Sequence, residues 1–326
     1  MAMTKIHKLQ NKIKHYEWGS TQILPEFLGL VKNEDNDFKE PYAEMWLGTH
    51  PLAPSQVQLN GNIVSLKEIS GELPFLLKLI AVEKPLSIQV HPNKEQARRG
   101  FKRESEMGLE LDSPVRNYKD QNHKSEIICA ITPFTLMAGF KKPKEIYASL
   151  GSVSGRQMDI IKKLSSLYPG DSSVLSPLYL NLITLQPGQG LFIPCSIPHA
   201  YISGFGVELM TNSDNVIRGG LTNKHIDIEE LKKIMPLVPF VPQIITPSDD
   251  TQVCYPMPEE CFSLFHIRGS GSFNKCGVGV FIVTEGELEI ENQFFKKGES
   301  FYISREKCAP LLLKGNFSLF AACITE

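Results

Sequence analysis

The sequence has no long apolar run. Its longest ones, such as Leu73 to Val82, are broken by Lys78 and fall well short of the ~20 residues that a bilayer-spanning helix needs. The opening stretch, Met1 to Ser20, is mixed polar and basic without an apolar centre, so no secretory signal is expected. An excess of one charge is missing too: Lys plus Arg is 34 against 36 for Asp plus Glu, a net charge of −2. That balance gives no reason to expect nucleic acid or an acidic membrane as partner, and any basic site must be local. No C-x-x-C occurs, and the 7 cysteines are scattered, which points to free thiols in a reducing compartment. The expectation is a cytoplasmic protein.

What is present is ordinary globular composition, with 42% hydrophobic and 21% charged residues. A length of 326 residues suggests two domains, with a third lobe possible in that length. Residues 1–90 are short apolar segments separated by turns: Gln22-Ile-Leu, Ser55-Gln-Val-Gln-Leu, Phe75-Leu-Leu-Lys-Leu-Ile. Asn93 caps a charged helix, residues 143–170 look helical, and Asp227 caps a third helix. Pro236 to Pro258, with six prolines, reads as a linker or a strapped connection. The last seventy or so residues alternate as β-strands, spaced as in a sandwich or jelly roll.

Three stretches carry candidate chemistry. In Leu86-Ser-Ile-Gln-Val-His-Pro92, residues two apart share one face of a strand. Ser87, Gln89 and His91 therefore point one way and Ile88 and Val90 the other, as a metal-lined interior or a half-exposed edge strand would have it. In Asn117-Tyr-Lys-Asp-Gln-Asn-His-Lys-Ser-Glu126, Glu126 is the last polar residue before a buried strand, placed to be a ligand or a capping carboxylate. The third, Leu185 to Tyr201, is a turn at Pro187-Gly188, a short strand Leu191-Phe-Ile193, and a corner stiffened by Pro194 and Pro198 that presents His199. Tyr42 to Pro51 also groups an acid, an indole and a histidine, for which packing around Trp46 is the simpler reading.

Gly188, Pro194 and His199 keep the G-x5-P-x4-H spacing of the second cupin motif. Its alternative is a surface-corner histidine. A faint echo follows, since Lys297-Gly-Glu-Ser-Phe-Tyr-Ile-Ser304 lays onto Pro187 to Pro194, with Ala309 at the position of His199. Gln89, His91, Glu126 and His199 together offer two imidazoles, a carboxylate and an amide oxygen. That set suits Zn²⁺ with an open position, one ion per chain. Arg218 and Lys224, in the Gly-rich passage after Glu208-Leu-Met, would add positive charge and favour an anionic ligand.

The chain resembles the type I phosphomannose isomerases along most of its length. The matching pieces are His15-Tyr-Glu-Trp-Gly19, Tyr42 to Pro51, Phe75-Leu-Leu-Lys78, Pro85 to Pro92, Tyr118 to Glu126, and His199-Ala-Tyr-Ile-Ser-Gly through Glu208 and Ser213-Asp-Asn-Val-Ile-Arg218 to Lys224. The resemblance implies zinc on Gln89, His91, Glu126 and His199, an active-site arginine at Arg218, and reversible conversion of mannose 6-phosphate to fructose 6-phosphate through a cis-enediol. On that reading Glu208 is the candidate base, with a zinc-bound water as the other, and salt-bridging to Arg218 and Lys224 is the alternative role of Glu208 and Asp214. Lys224 and Lys78 are candidate phosphate contacts, with Ser87, Tyr201 and Asp214 as further substrate-side residues. The departures are Ser125 where proline is usual, Thr211 and Gly219 for alanine, and Asn223 for proline; they touch local rigidity rather than any ligand.

The expected fold is mainly β with a small helical lobe: two cupin or jelly-roll barrels, only the first carrying metal. The expected boundaries are 1–95 with 120–143 and 178–245 for the catalytic domain, 96–119 with 144–177 for the helical lobe, and 250–326 for a metal-free carboxy-terminal domain. The expected partner is a sugar phosphate, with no nucleic acid and no membrane, on a monomer or weak homo-oligomer. The competing reading is a cupin-type sugar-phosphate-binding or regulatory protein without catalysis.

Overall fold

The computed structural model describes residues 5–30, 40–248, 250–258, 260–274, 277–304 and 310–325. The chain is mainly β and forms two large antiparallel sheets. In the eleven-stranded sheet the path runs Ile244–Ile245, Gly190–Ile193, Glu126–Ala130, His199–Thr211, Phe75–Val82, Glu44–Gly48 and Lys12–Lys14. His199–Thr211 is long enough to serve two neighbourhoods. Its second half pairs with Phe75–Val82 and Glu126–Ala130. Its first half pairs with Ile88–Val90 and Phe134–Phe140, which bring Ile217–Gly220 and Leu180–Leu185 alongside.

The ten-stranded sheet holds the carboxy-terminal strands Gln252–Pro256, Phe262–Arg268, Leu311–Ile324, Val278–Ile290 and Ser300–Ser304. It also takes in Lys5–Gln10, paired with Ser300–Ser304, and beyond it Gln56–Leu59 and Asn62–Ser65. Val278–Ile290 and Leu311–Ile324 are each a single long strand, of 13 and 14 residues. Within the proline-rich stretch, Ile244–Ile245 and Gln252–Pro256 are paired strands, so it is tied into both sheets.

Side-chain alternation explains how the sheets stack. Leu77, Leu79 and Ala81 of one strand, Ile127 and Cys129 of the next, and Val207 and Leu209 of a third share a buried core with Val280, Ile282, Phe320 and Ala322 of the other sheet. The alternate residues of the same strands, Lys78, Glu126 and Glu208, therefore face away from that core, into the side where the first sheet curls over itself. There Ile80, Ile128, Leu136, Ile193 and Tyr201 pack together.

The helices follow their capping signals. Asn93 and Gln96 cap Lys94–Glu106 reciprocally, and the Asp227 side chain accepts from Glu230 N at the start of Ile228–Ile234. These two helices share a cluster with Tyr118 and Ile217, whereas Gly155–Leu167 packs through Leu164 on Ile88, Met137 and Ala200. Ile23–Phe27 is a short helix rather than an extended segment, because Ser20 Oγ accepts from both Gln22 N and Ile23 N, each at 3.2 Å, and turns the chain. Among the described residues no helix is long and apolar enough to cross a membrane. Cys129, Cys195 and Cys261 are free thiols, but Cys323 is disulfide-bonded, which departs from the all-thiol expectation.

The sequence echo corresponds to one repeated turn. Gly188 and Gly298 have φ of 83° and 85°, a region open to glycine at little cost. Each turn closes with the same bond, Gln189 N to Gln186 O at 2.8 Å and Glu299 N to Lys296 O at 2.9 Å, and each leads into a strand. Ala309, where the echo has lost its histidine, lies outside the described residues.

Candidate active site

Residues directly opposite on antiparallel strands share a face, and two such rows build the site. One row runs Arg218, Gln89, His199 across Ile217–Gly220, Ile88–Val90 and His199–Thr211. The other runs Trp46, Lys78, Glu208 across Glu44–Gly48, Phe75–Val82 and His199–Thr211, with Glu126 opposite Met210 nearby. The proline-stiffened corner, with Ser196 at φ 67°, starts the long strand at His199 itself.

The ligating atoms of His91, Glu126 and His199 all lie within 4.8 Å of one another, and all three residues are buried. His199 Nε2 is 2.9 Å from Glu126 Oε1, and His91 Nε2 is 3.5 Å from Glu126 Oε2. Each ring is fixed from behind: His91 Nδ1 donates to Asn215 O at 2.7 Å and His199 Nδ1 to Ile197 O at 2.9 Å. Both Nε2 atoms are thereby left as lone-pair donors toward the same point, the usual outer support of a metal-binding imidazole. Among the described residues Glu126 Oε2 is buried without a hydrogen-bond donor, and its one close cation is Lys124 Nζ at 3.2 Å. Burial, with the Lys124 charge, holds His91 well below the ordinary histidine range, so its ring is neutral. Burial would raise Glu126, but Lys124, His199 and His91 outweigh it and keep the carboxyl well below its usual range. Two imidazoles, each held from behind through Nδ1, an ionised carboxylate and the neighbouring Gln89 amide fit a divalent cation of zinc type.

Lys124 is a residue that the motif reading passed over. Its Nζ lies 3.0 Å from His91 Nε2 and 3.2 Å from Glu126 Oε2, so an ammonium supplies the cationic partner of this cluster. A signal was there, since Lys124 precedes Glu126 by two residues.

A cavity of about 820 Å³ opens beside the cluster. Ten of the eleven candidate residues line it: Lys78, Ser87, Gln89, Glu126, His199, Tyr201, Glu208, Asp214, Arg218 and Lys224. His91 sits behind it. Glu208 is held on both sides, by Lys78 Nζ at 2.9 Å and by the Tyr201 hydroxyl at 2.9 Å. Tyr201 also reaches Glu126 Oε1 at 3.3 Å; burial, then the two carboxylates, push its phenol well above the ordinary range, so it stays a neutral donor. Lys78 is 3.9 Å from a second buried carboxylate, Glu44, which accepts from Trp46 Nε1. Burial on its own would lower the Lys78 ammonium, but Glu208 and Glu44 outweigh it and hold it above the lysine range. Asp214 pairs with His50 Nε2 at 3.3 Å, and His50 packs edge-on against Trp46.

Arg218 differs from these. It is only partly exposed, and among the described residues it has neither an ion pair nor a side-chain hydrogen bond; burial alone lowers it. Lys224 is exposed at the cavity rim.

The family model described as phosphomannose isomerase type I, catalytic domain, matches residues 6–143. The mannose-6-phosphate isomerase of Escherichia coli (strain K12) is 32% identical over 386 residues, covering 95% of this chain and 97% of the relative. That alignment is longer than this chain, so the relative carries additional segments. A crystal structure of mannose 6-phosphate isomerase in a zinc-bound holo form superposes with a TM-score of 0.88 at 30% identity, covering 98% of this chain and 100% of that one. A Salmonella typhimurium mannose 6-phosphate isomerase bound to its substrate, fructose 6-phosphate, and to zinc gives a TM-score of 0.87 at 30% identity and the same coverage. With a relative this similar along nearly the whole of both chains, and with the motifs gathered around one cavity, the chain belongs to the type I phosphomannose isomerase family.

Proposed function

We propose that this chain is a zinc-dependent mannose-6-phosphate isomerase, interconverting mannose 6-phosphate and fructose 6-phosphate. The observation that carries the reading is Arg218. A guanidinium shielded from water and given no carboxylate is costly, and a bound anion is what would offset that cost. It faces the same cavity as the imidazole–carboxylate cluster, and about 820 Å³ is ample for a hexose phosphate.

His91, Glu126, His199 and Gln89 would hold the zinc, which when bound supplies Lewis acidity to an enediolate. Arg218 and Lys224 bind and orient the anionic end of the substrate. Glu208 is the carboxylate that moves the proton between C1 and C2, within hydrogen-bond reach of a substrate in the cavity. Tyr201 fixes Glu208 and Glu126 at a set separation. The pairing of Lys78 with Glu208 supports a role in orienting that base over a direct phosphate contact. Ser87 and Asp214 face the cavity as partners for sugar hydroxyls.

The repeated turn at Gly188 and Gly298 supports a chain built on two cupin-type barrels, with metal chemistry on the first. For the division expected from the sequence, the strands Lys5–Gln10, Gln56–Leu59 and Asn62–Ser65 go with the carboxy-terminal barrel, and the two helical pieces expected in one lobe pack in separate clusters, around Tyr118 and around Leu164.

A coupled assay of mannose 6-phosphate against glucose 6-phosphate, with and without chelator, tests the function. Turnover of the mannose ester alone, lost on chelation and absent in His199→Ala, is expected. A His199→Ala protein that still converts substrate would refute the zinc site. Sugar-phosphate binding with no solvent deuterium entering C1 or C2 would return the non-catalytic reading.

A further inference from the structure

Lys124 and the approach to Glu126 lie in the segment 123–125, which is neither strand nor helix. Side chains on irregular backbone are only as well placed as the anchors of that backbone. Three anchors are local to the catalytic sheet: Lys124 N donates to Pro92 O at 3.3 Å, Thr211 N to Ser125 O at 3.2 Å, and Thr211 Oγ1 to His123 O at 2.8 Å. The fourth comes from elsewhere. Glu260 sits in the connection between Gln252–Pro256 and Phe262–Arg268 of the other sheet. Its Oε1 accepts from His123 Nε2 at 2.6 Å and from Ser125 Oγ at 2.8 Å, so one carboxylate oxygen spans the two residues that flank Lys124. The Glu260 side chain is only 9% exposed, which strengthens such charge-assisted bonds. Two hydroxyls and a remote carboxylate thus hold the segment.

We propose that Glu260 is a positioning residue through which the carboxy-terminal sheet aims Glu126 and Lys124 into the cavity. The inference rests on Glu126 being a zinc ligand.

The test compares Glu260→Ala, Glu260→Gln and Tyr255→Phe. Tyr255 donates to Gly188 O at 2.5 Å and makes a second link between the two sheets, away from residues 122–126. Zinc affinity is read by competition with a chromophoric chelator, and ligand geometry by the visible spectrum of the cobalt-substituted protein. Glu260→Ala is expected to weaken zinc by about 10-fold or more, as loss of outer-shell support does, and to alter the cobalt spectrum. Glu260→Gln, which can still accept from Ser125 but has no charge for His123, is expected to fall between, and it carries the test should alanine not fold. Tyr255→Phe is expected to bind zinc as the parent does. Parent-like affinity and spectrum in both Glu260 variants would overturn the proposal, as would an equal loss in Tyr255→Phe, because the carboxylate would then only join the sheets. A parent protein that binds no zinc would refute the zinc site itself, a separate outcome.

Discussion

Replacing Lys78 by methionine would strip the charge partner from two buried carboxylates, and its cost can be worked from the geometry. At 2.9 Å from Glu208 and 3.9 Å from Glu44, Coulomb energies at an effective dielectric of ~20 are about 6 and about 4 kcal/mol. The full amount is not lost, because a stranded carboxyl can take up a proton instead. With an unfolded-state value near ~4.3, protonating one stranded carboxyl at pH 7 costs about 3.7 kcal/mol, which caps the loss from that carboxyl at roughly 3–4 kcal/mol; burial already raises the Glu44 carboxyl with Lys78 in place, so Glu44 adds less. The pH dependence follows. In the variant the folded state holds a proton that the unfolded chain releases above pH ~4.3, so the folded state binds more protons there and its stability falls as pH rises through that window. The gap between parent and variant should therefore shrink by about 1.4 kcal/mol per pH unit, to about 1 kcal/mol at pH 5. Urea denaturation of both proteins at pH 5, 6 and 7, with chelator throughout, measures it. The doubly neutral Lys78→Met, Glu208→Gln protein should recover most of the loss. A gap that stays flat between pH 5 and pH 7, or stays below about 1 kcal/mol at pH 7, would refute the reasoning.

Two further substitutions separate chemistry from stability. Arg218→Met should leave the urea midpoint unchanged or raise it, since no protein carboxylate is orphaned, while kcat/KM for mannose 6-phosphate falls about 10–100-fold through loss of charge-assisted contacts; a variant with parent-like kcat/KM would remove Arg218 from the site. Gly190→Ala would put a Cβ 2.7 Å from Tyr255 Cδ1, and its thermal midpoint should drop by the equivalent of about 1–3 kcal/mol of overpacking. An unchanged midpoint would mean that this contact between the sheets yields freely.

Much of the site was legible in the sequence because its residues lie in short, nearly contiguous motifs. The proline corner before His199 encodes local geometry that appears in the fold, and Gln89 faces the cavity, while His91 follows the end of the strand Ile88–Val90 and sits behind that cavity. What stayed hidden depends on register between distant strands. Nothing near Lys78 announces that it stands opposite Glu208, 130 residues away, nor does anything near Ser125 point to Glu260. The same limit applied to the fold. Strand alternation was readable, but Lys5 to Gln10 carries no mark assigning it to a sheet of carboxy-terminal strands. Ile23–Phe27 was misleading for a different reason: Gln22-Ile-Leu looked like one more short segment between turns, while Ser20 set the start of a helix.

The pairing of Lys5–Gln10 with Ser300–Ser304 sets an order of events during synthesis. Lys8 and Glu299 form an ion pair beside that ladder at a separation of 291 residues. At ribosomal rates the first partner waits on the order of 15 to 60 s for the second. Until then the part of that strand from Lys5 to Lys8 is a bare edge, able to pair with another nascent chain, although Leu9 and Gln10 can already meet Gln56–Leu59, and closure of so long a loop is slow in itself. Among the described strands, the first to be made is thus one of the last to be fully placed.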